Sequence, residues 1–165
     1  RLIIERRVEA LDSTGEIWAS AATHWLVLDL ERRRPVRFPA VVLDALTAHE
    51  IGSAPAKPDR LDGPERVDLE QVFTVRRSDL DLADHVNNTS YVEWAIEAVP
   101  DEVWEHRELA ELQIGFLSEC HRGQTIVSVS QTTEDDRGAA VRHQLVRRED
   151  GEAAARARTL WRRSR

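Results

Sequence analysis

The densest set of reactive side chains is the run Ser78-Asp79-Leu80-Asp81-Leu82-Ala83-Asp84-His85-Val86-Asn87-Asn88, with three carboxylates, one imidazole and two amides. Directly after it, Tyr91, Val92, Ala95, Ile96, Ala98 and Val99 recur at helical spacing until Pro100 ends the pattern. The run therefore stands at a predicted helix N-terminus, with Asn88 or Thr89 as the expected cap. A helix start carries partial positive charge and backbone N–H groups without intrahelical partners. A carbonyl held there is polarised, and an oxyanion forming on it is stabilised. A nearby Asp can activate water or attack directly, and a His can orient a group or move a proton. The bland alternative is a solvated loop ordered by Asx turns.

The elements that must position this run read as follows. Residues 2–11 and 17–30 are β-rich and flank the turn cluster Asp12-Ser13-Thr14-Gly15, which predicts an antiparallel hairpin. Pro35 demotes residues 32–37 to an edge or exit segment, and residues 40–48 suit a short helix. Gly, Ser, Pro, Asp and Lys between Ile51 and Pro64 read as a linker. A second unit begins near Val67. Leu69–Arg76 is a predicted strand, the reactive loop and its helix follow, and a helical turn is expected near Asp101–His106. Four strand-like runs come next, at Leu109–Cys120, Gln124–Thr133, Ala139–Arg148 and Ala153–Arg163, separated by turns at 121–123, 134–138 and 149–151. One helix followed by an antiparallel meander predicts an α+β fold with the helix covering one sheet face. The hotdog, a curled sheet around a central helix, has that order. The domain expectation is the end of a first such repeat over 1–50, a linker over 51–66 and a second, complete repeat over 67–165.

Composition narrows the classes. The chain has 165 residues, enough for one ordinary domain or two small ones. Its net charge is −7 and its pI about 5.4, which argues against non-specific nucleic-acid binding. Of the 23 basic residues only Lys57 is not arginine. No run approaches the ~20 apolar residues of a membrane-spanning helix, so membrane insertion is not expected, and no signal peptide is readable at Arg1–Arg7. The single cysteine, Cys120, excludes an internal disulfide and a multi-cysteine zinc site and fits a reducing cytoplasm. His24, His49, His106, His121 and His143 have no metal-like spacing and receive no role.

Asp79-Leu80-Asp81, then His85-Val86-Asn87-Asn88, then Tyr91, Trp94, Glu97 and Pro100, resemble the catalytic hotdog repeat of the acyl-acyl-carrier-protein (acyl-ACP) thioesterases. The likeness extends to Leu109-Ala110, to a strand ending in Glu119-Cys120, to Glu149-Asp150-Gly151 and to the closing Arg158-Thr159-Leu160-Trp161-Arg162. Upstream, Thr23–Pro39 resembles the end of that family's first, non-catalytic repeat. The resemblance implies two hotdog repeats, of which the first strand and central helix of the first have no counterpart here. The chain also lacks methionine, so the expectation is a chain missing the start of its first repeat. A repeat without its helix cannot bury its sheet face, and a monomer truly beginning at Arg1 is not expected to be stable.

The resemblance further implies hydrolysis of a fatty acyl thioester on a phosphopantetheine arm in fatty acid biosynthesis, without metal or cofactor. Asp81 matches the acidic residue ahead of the helix and would activate the water; its alternative is a loop-ordering carboxylate. His85 matches the family histidine, and its alternative is a structural hydrogen bond. Glu119 would be the second base or the holder of the water. Adjacent strand residues face opposite ways, so Glu119 and Cys120 share one site only if a bulge intervenes; Glu119 with Asp81 is preferred to a Cys120 nucleophile, and Cys120 stays with Asn87 and Asn88 as a supporting candidate. Ala83 replaces the family's usual Asn, so either Asp84, Asn87 or Asn88 takes over its role, or the site is weaker, or the substrate is different. Tyr91, Trp94, Trp18 and Trp25 are expected to pack against sheet rather than to line a substrate pocket. Docking of an acidic carrier protein would fall to Arg32, Arg33, Arg34 and Arg37 or to Arg162, Arg163 and Arg165. A homodimer is the default assembly. The competing functions are hydrolysis of acyl-CoA and a non-catalytic acyl-binding module.

Overall fold

Long alternating strands with tight turns between them dominate the C-terminal half. The computed structural model describes residues 2–29, 31–32, 34–46 and 60–163. The chain divides into two units, Arg1–Asp59 and Arg60–Arg165.

In the first unit β1 (Ile4–Leu11) and β2 (Ile17–Trp25) form the expected antiparallel hairpin. Asp12 shapes its turn, its Oδ1 accepting from the N–H groups of Thr14 and Glu16. The predicted second strand stops at Trp25. β3 (Val27–Asp29) pairs separately with β4 (Arg34–Val36), where Pro35 sits on the edge its missing N–H requires. α1 (Ala40–Leu46) takes up the predicted helix; residues 47 and 48 lie outside the described residues, as does 51–59 of the linker. Trp18 and Trp25, expected to pack on a sheet, are 80% and 57% exposed. A two-stranded ribbon has no interior in which to bury them.

The second unit is one five-stranded antiparallel sheet in the order β5-β7-β8-β9-β6, with α2 packed on one face. Its strands are β5 (Leu69–Thr74), β6 (Arg107–Phe116), β7 (Thr125–Asp135), β8 (Gly138–Arg147) and β9 (Ala153–Arg163). Its helices are α2 (Asn88–Ile96) and α3 (Asp101–His106). Before β5, Glu65 N–H donates to Gln131 and Arg156 donates to the Leu61 carbonyl, so residues 61–65 already run along this sheet.

The period-2 alternation of β7–β9 makes one face and buries it. Ile126, Leu145, Ala155 and Ala157 meet Tyr91, Trp94 and Ala95 of α2 in one core cluster. Trp94 stacks on Phe73 at 5.7 Å between ring centroids. Tyr91 and Trp94 are therefore interface residues, as expected. Toward the other end Val99 and Val103 close over Ala139, Val141 and Trp161. The β7–β8 turn needs glycine: Gly138 has φ +135, and a Cβ there would lie 2.2 Å from the Trp161 carbonyl oxygen.

Candidate functional site

The loop before α2 closes on itself. Leu80 and Val86 form an antiparallel bridge, and Asp81 N–H donates to the His85 carbonyl at 2.8 Å. Asp81 Oδ1 accepts from the N–H of Ala83 at 2.8 Å and of His85 at 3.3 Å. Position 83 thus engages Asp81 through its backbone, which alanine supplies as well as any residue. Asp84 takes φ 59, in the left-handed region that Asp tolerates. The two acids of Asp79-Leu80-Asp81 part company. Asp81 is exposed, whereas Asp79 is buried and bonded to Arg76, its Oδ2 to the backbone N–H at 2.6 Å and its Oδ1 to Nη2 at 2.9 Å. Burial by itself would raise the Asp79 carboxyl; the Arg76 guanidinium and N–H outweigh it and hold the group below the usual carboxylate range.

The cap of α2 is Asn87, one position earlier than expected. Its Oδ1 accepts from Thr89 N–H at 3.0 Å and from the Thr89 hydroxyl at 2.9 Å, and its carbonyl accepts from Ser90 N–H at 3.0 Å. The bridged loop uses residues through Val86, so the first residue free to cap is the next. Among the described residues no group accepts the Asn88 N–H, which leaves it as the open donor at the helix start.

Glu119 reaches the loop from far along the chain. β6 ends at Phe116, short of the expected Cys120, and residues 117–121 run on without a ladder. Val86 N–H donates to the Cys120 carbonyl at 2.9 Å and ties the two segments together. His85 Nε2 then lies 3.7 Å from Glu119 Oε2. Glu119 faces out, while Cys120 is wholly buried in the core cluster. The Tyr91 phenol sits beside that thiol, and burial, then its hydrogen bond with Cys120, raise its pKa above the ordinary value.

One neighbour was missed. The ring of His121 stands edge-on to His85 at 5.1 Å, and its Nδ1 lies 3.4 Å from the Asp84 carbonyl. Its position directly after Glu119-Cys120 was the available signal. The structure thus unites Asp81, His85, Asn87, Asn88 and Glu119 around the start of α2. Arg34 and Arg37 are exposed on the first unit, Arg32 faces Asp29 at 3.6 Å, and Arg33 lies outside the described residues. Arg162 pairs with Glu111 at 3.3 Å, and Arg165 lies outside the described residues. Among the described residues no group of three or more His, Cys, Asp or Glu is placed to hold a metal ion. No helix among them is long and apolar enough to cross a membrane.

A family model described as the acyl-ACP thioesterase C-terminal domain matches residues 63–163. The chain belongs to the acyl-ACP thioesterase family. Among its relatives, the chloroplastic acyl-[acyl-carrier-protein] hydrolase FATB2 of Cuphea viscosissima is 32% identical over 157 residues, 91% of this chain and 38% of that protein. The palmitoyl-acyl carrier protein thioesterase of Cuphea hookeriana matches at the same identity and the same coverage. The chain thus spans 38% of the length of these two relatives. The solved 12:0-ACP thioesterase of Umbellularia californica superposes with a TM-score of 0.82 at 25% identity, over 99% of this chain and 64% of that one. An acyl-ACP thioesterase from Bacteroides thetaiotaomicron shares the fold with a TM-score of 0.78 at 19% identity. The hotdog expected from the element order is the fold of the second unit.

Proposed function

We propose that the protein hydrolyses acyl-ACP and releases free fatty acid. The observation that carries this is the His85–Glu119 pair at 3.7 Å beside the open start of α2. The thioester carbonyl sits at the helix start, its oxygen toward the Asn88 N–H. Glu119 and His85 hold a water and take its proton as the oxygen attacks the carbonyl carbon. Asp81 orders the loop and orients the same water. The tetrahedral oxyanion collapses, the C–S bond breaks, and the proton passes to the departing pantetheine thiolate. The product is a carboxylic acid and a free thiol.

The names of the relatives support the carrier-linked substrate. The same reading assigns the first unit to a non-catalytic repeat, places carrier docking at Arg34 and Arg37 with Arg33, and expects a homodimer. It places the protein in the cytoplasm, on the single thiol of Cys120; the Cuphea relatives are named chloroplastic, and cell fractionation decides.

The test is thiol release from dodecanoyl- and palmitoyl-ACP and from the matching acyl-CoAs. Wild-type protein is expected to turn over the ACP substrates faster. Glu119→Gln and His85→Asn are each expected to lower kcat about 10²–10⁴-fold with unchanged melting. A preference for CoA moves the substrate. No turnover by folded wild type on any thioester leaves an acyl-binding module instead.

A further inference from the structure

Glu119 lies outside any strand, yet its carboxylate has to meet His85 from a separate segment. The segment around it is held from two sides. On the loop side Val86 N–H donates to the Cys120 carbonyl. On the other side Arg147 Nη1 donates to the Glu119 carbonyl at 2.6 Å. Arg147 closes β8, and its side chain is only 14% exposed. The rest of its guanidinium is committed to Asp150, with Nε 3.0 and 2.9 Å from the two carboxylate oxygens and Nη2 2.7 Å from Oδ2. Such a fork leaves one nitrogen aimed in a fixed direction. The hairpin beneath it is closed as well. Arg147 N–H donates to the Glu152 carbonyl and Gly151 N–H to the Arg147 carbonyl, both at 2.9 Å, and Gly151 takes φ 74.

We propose that Arg147, held by Asp150, is a positioning residue that sets the Glu119 carboxylate against His85. The inference rests on the reading of Glu119 given above. It makes the β8–β9 turn part of the catalytic apparatus through the backbone of Glu119. Leu117 and Ser118 stay hydrogen-bonded to Ala153 and Ala154, so losing the clamp frees Glu119 itself, and a misplacement of about 1 Å can lower a rate about 10²-fold.

The experiment measures kcat and KM on dodecanoyl-ACP for the full gene product and for Arg147→Gln, Arg147→Lys, Asp150→Asn, Glu119→Gln and Glu119→Gln/Arg147→Gln. Arg147→Gln is expected to lower kcat about 10–100-fold with KM within about twofold. Lysine recovers little of this, because one ammonium cannot grip Asp150 in two places and also reach the Glu119 carbonyl. In the Glu119→Gln background the second substitution adds less than about twofold, since both act through one carboxylate. Asp150→Asn keeps the cation and covers the case in which Arg147→Gln fails to fold; it is expected to lower kcat about 3–10-fold. A folded Arg147→Gln or Asp150→Asn with wild-type kcat, beside an impaired Glu119→Gln, overturns the inference and leaves the catalytic reading standing. Full additivity in the double variant also overturns it. Wild-type turnover by Glu119→Gln overturns the reading of Glu119 and this inference with it.

Discussion

Two polar regions of the second unit carry histidine and have opposite fates. At the rim, His85 and His121 stand in water beside Glu119. In the interior, Ser128, Ser130, His143 and Thr159 lie buried on the face of the sheet that α2 covers. Trp161 Nε1 donates to the Thr159 hydroxyl at 2.8 Å, and that hydroxyl lies 3.0 Å from His143 Nε2. His143 Nδ1 has no hydrogen-bond partner among the described residues. Burial pushes His143 down to about 4. The difference teaches what a site needs. The rim offers an imidazole a carboxylate and solvent, whereas the interior offers a threonine hydroxyl and close packing. On the proposed reading the same residue type serves chemistry in one place and architecture in the other.

Three perturbations sharpen this contrast, in falling order of effect. Leu145→Ala empties a fully buried place between sheet and helix. It is expected to destabilise by about 2–5 kcal/mol in urea denaturation, with turnover at low temperature retained. The second is acid. The unfolded chain takes up the His143 proton near 6.5 and the folded protein near 4. Between those values the unfolded state binds more protons, so stability falls as pH drops below about 6.5, by at most about 1.4 kcal/mol per pH unit from this group. Its contribution is complete above that range. His143→Leu should flatten this limb in urea titrations at pH 7 and pH 4.5, and a limb of unchanged slope would remove His143 as its source. The third is Asn87→Ala, which deletes the side-chain cap of α2. About 1 kcal/mol of stability should be lost, and kcat should fall because the Asn88 N–H is less well held. An unaltered kcat at the same stability loss would separate the cap from the chemistry.

Legibility in the sequence followed the range of the forces involved. The hairpin turn of Asp12, the strands with alternating burial, α2 and its stop at Pro100 all rest on local rules, and their positions agree within a few residues. The cap shifted by one position because the Leu80–Val86 bridge takes the preceding residues. Asp81 and His85 were readable because a helix start gathers its own polar neighbours. Glu119 came only through family resemblance, since nothing in its spacing ties it to His85. His121 was signalled only by its place directly after Glu119-Cys120, and Arg147 carried no spacing signal. Trp18 and Trp25 misled because aromatic strand residues usually pack, and a two-stranded ribbon cannot bury them.

By itself the sequence determined the element order of the second unit and the reactive loop ahead of α2, because turn chemistry, period and capping act within a few residues. Only the tertiary structure decided which carboxylate meets His85, which histidine is sealed away and which arginine holds the meeting place. Those pairings join residues distant in the chain, and they exist only once the sheet ladder and the Val86–Cys120 link have brought the segments into register.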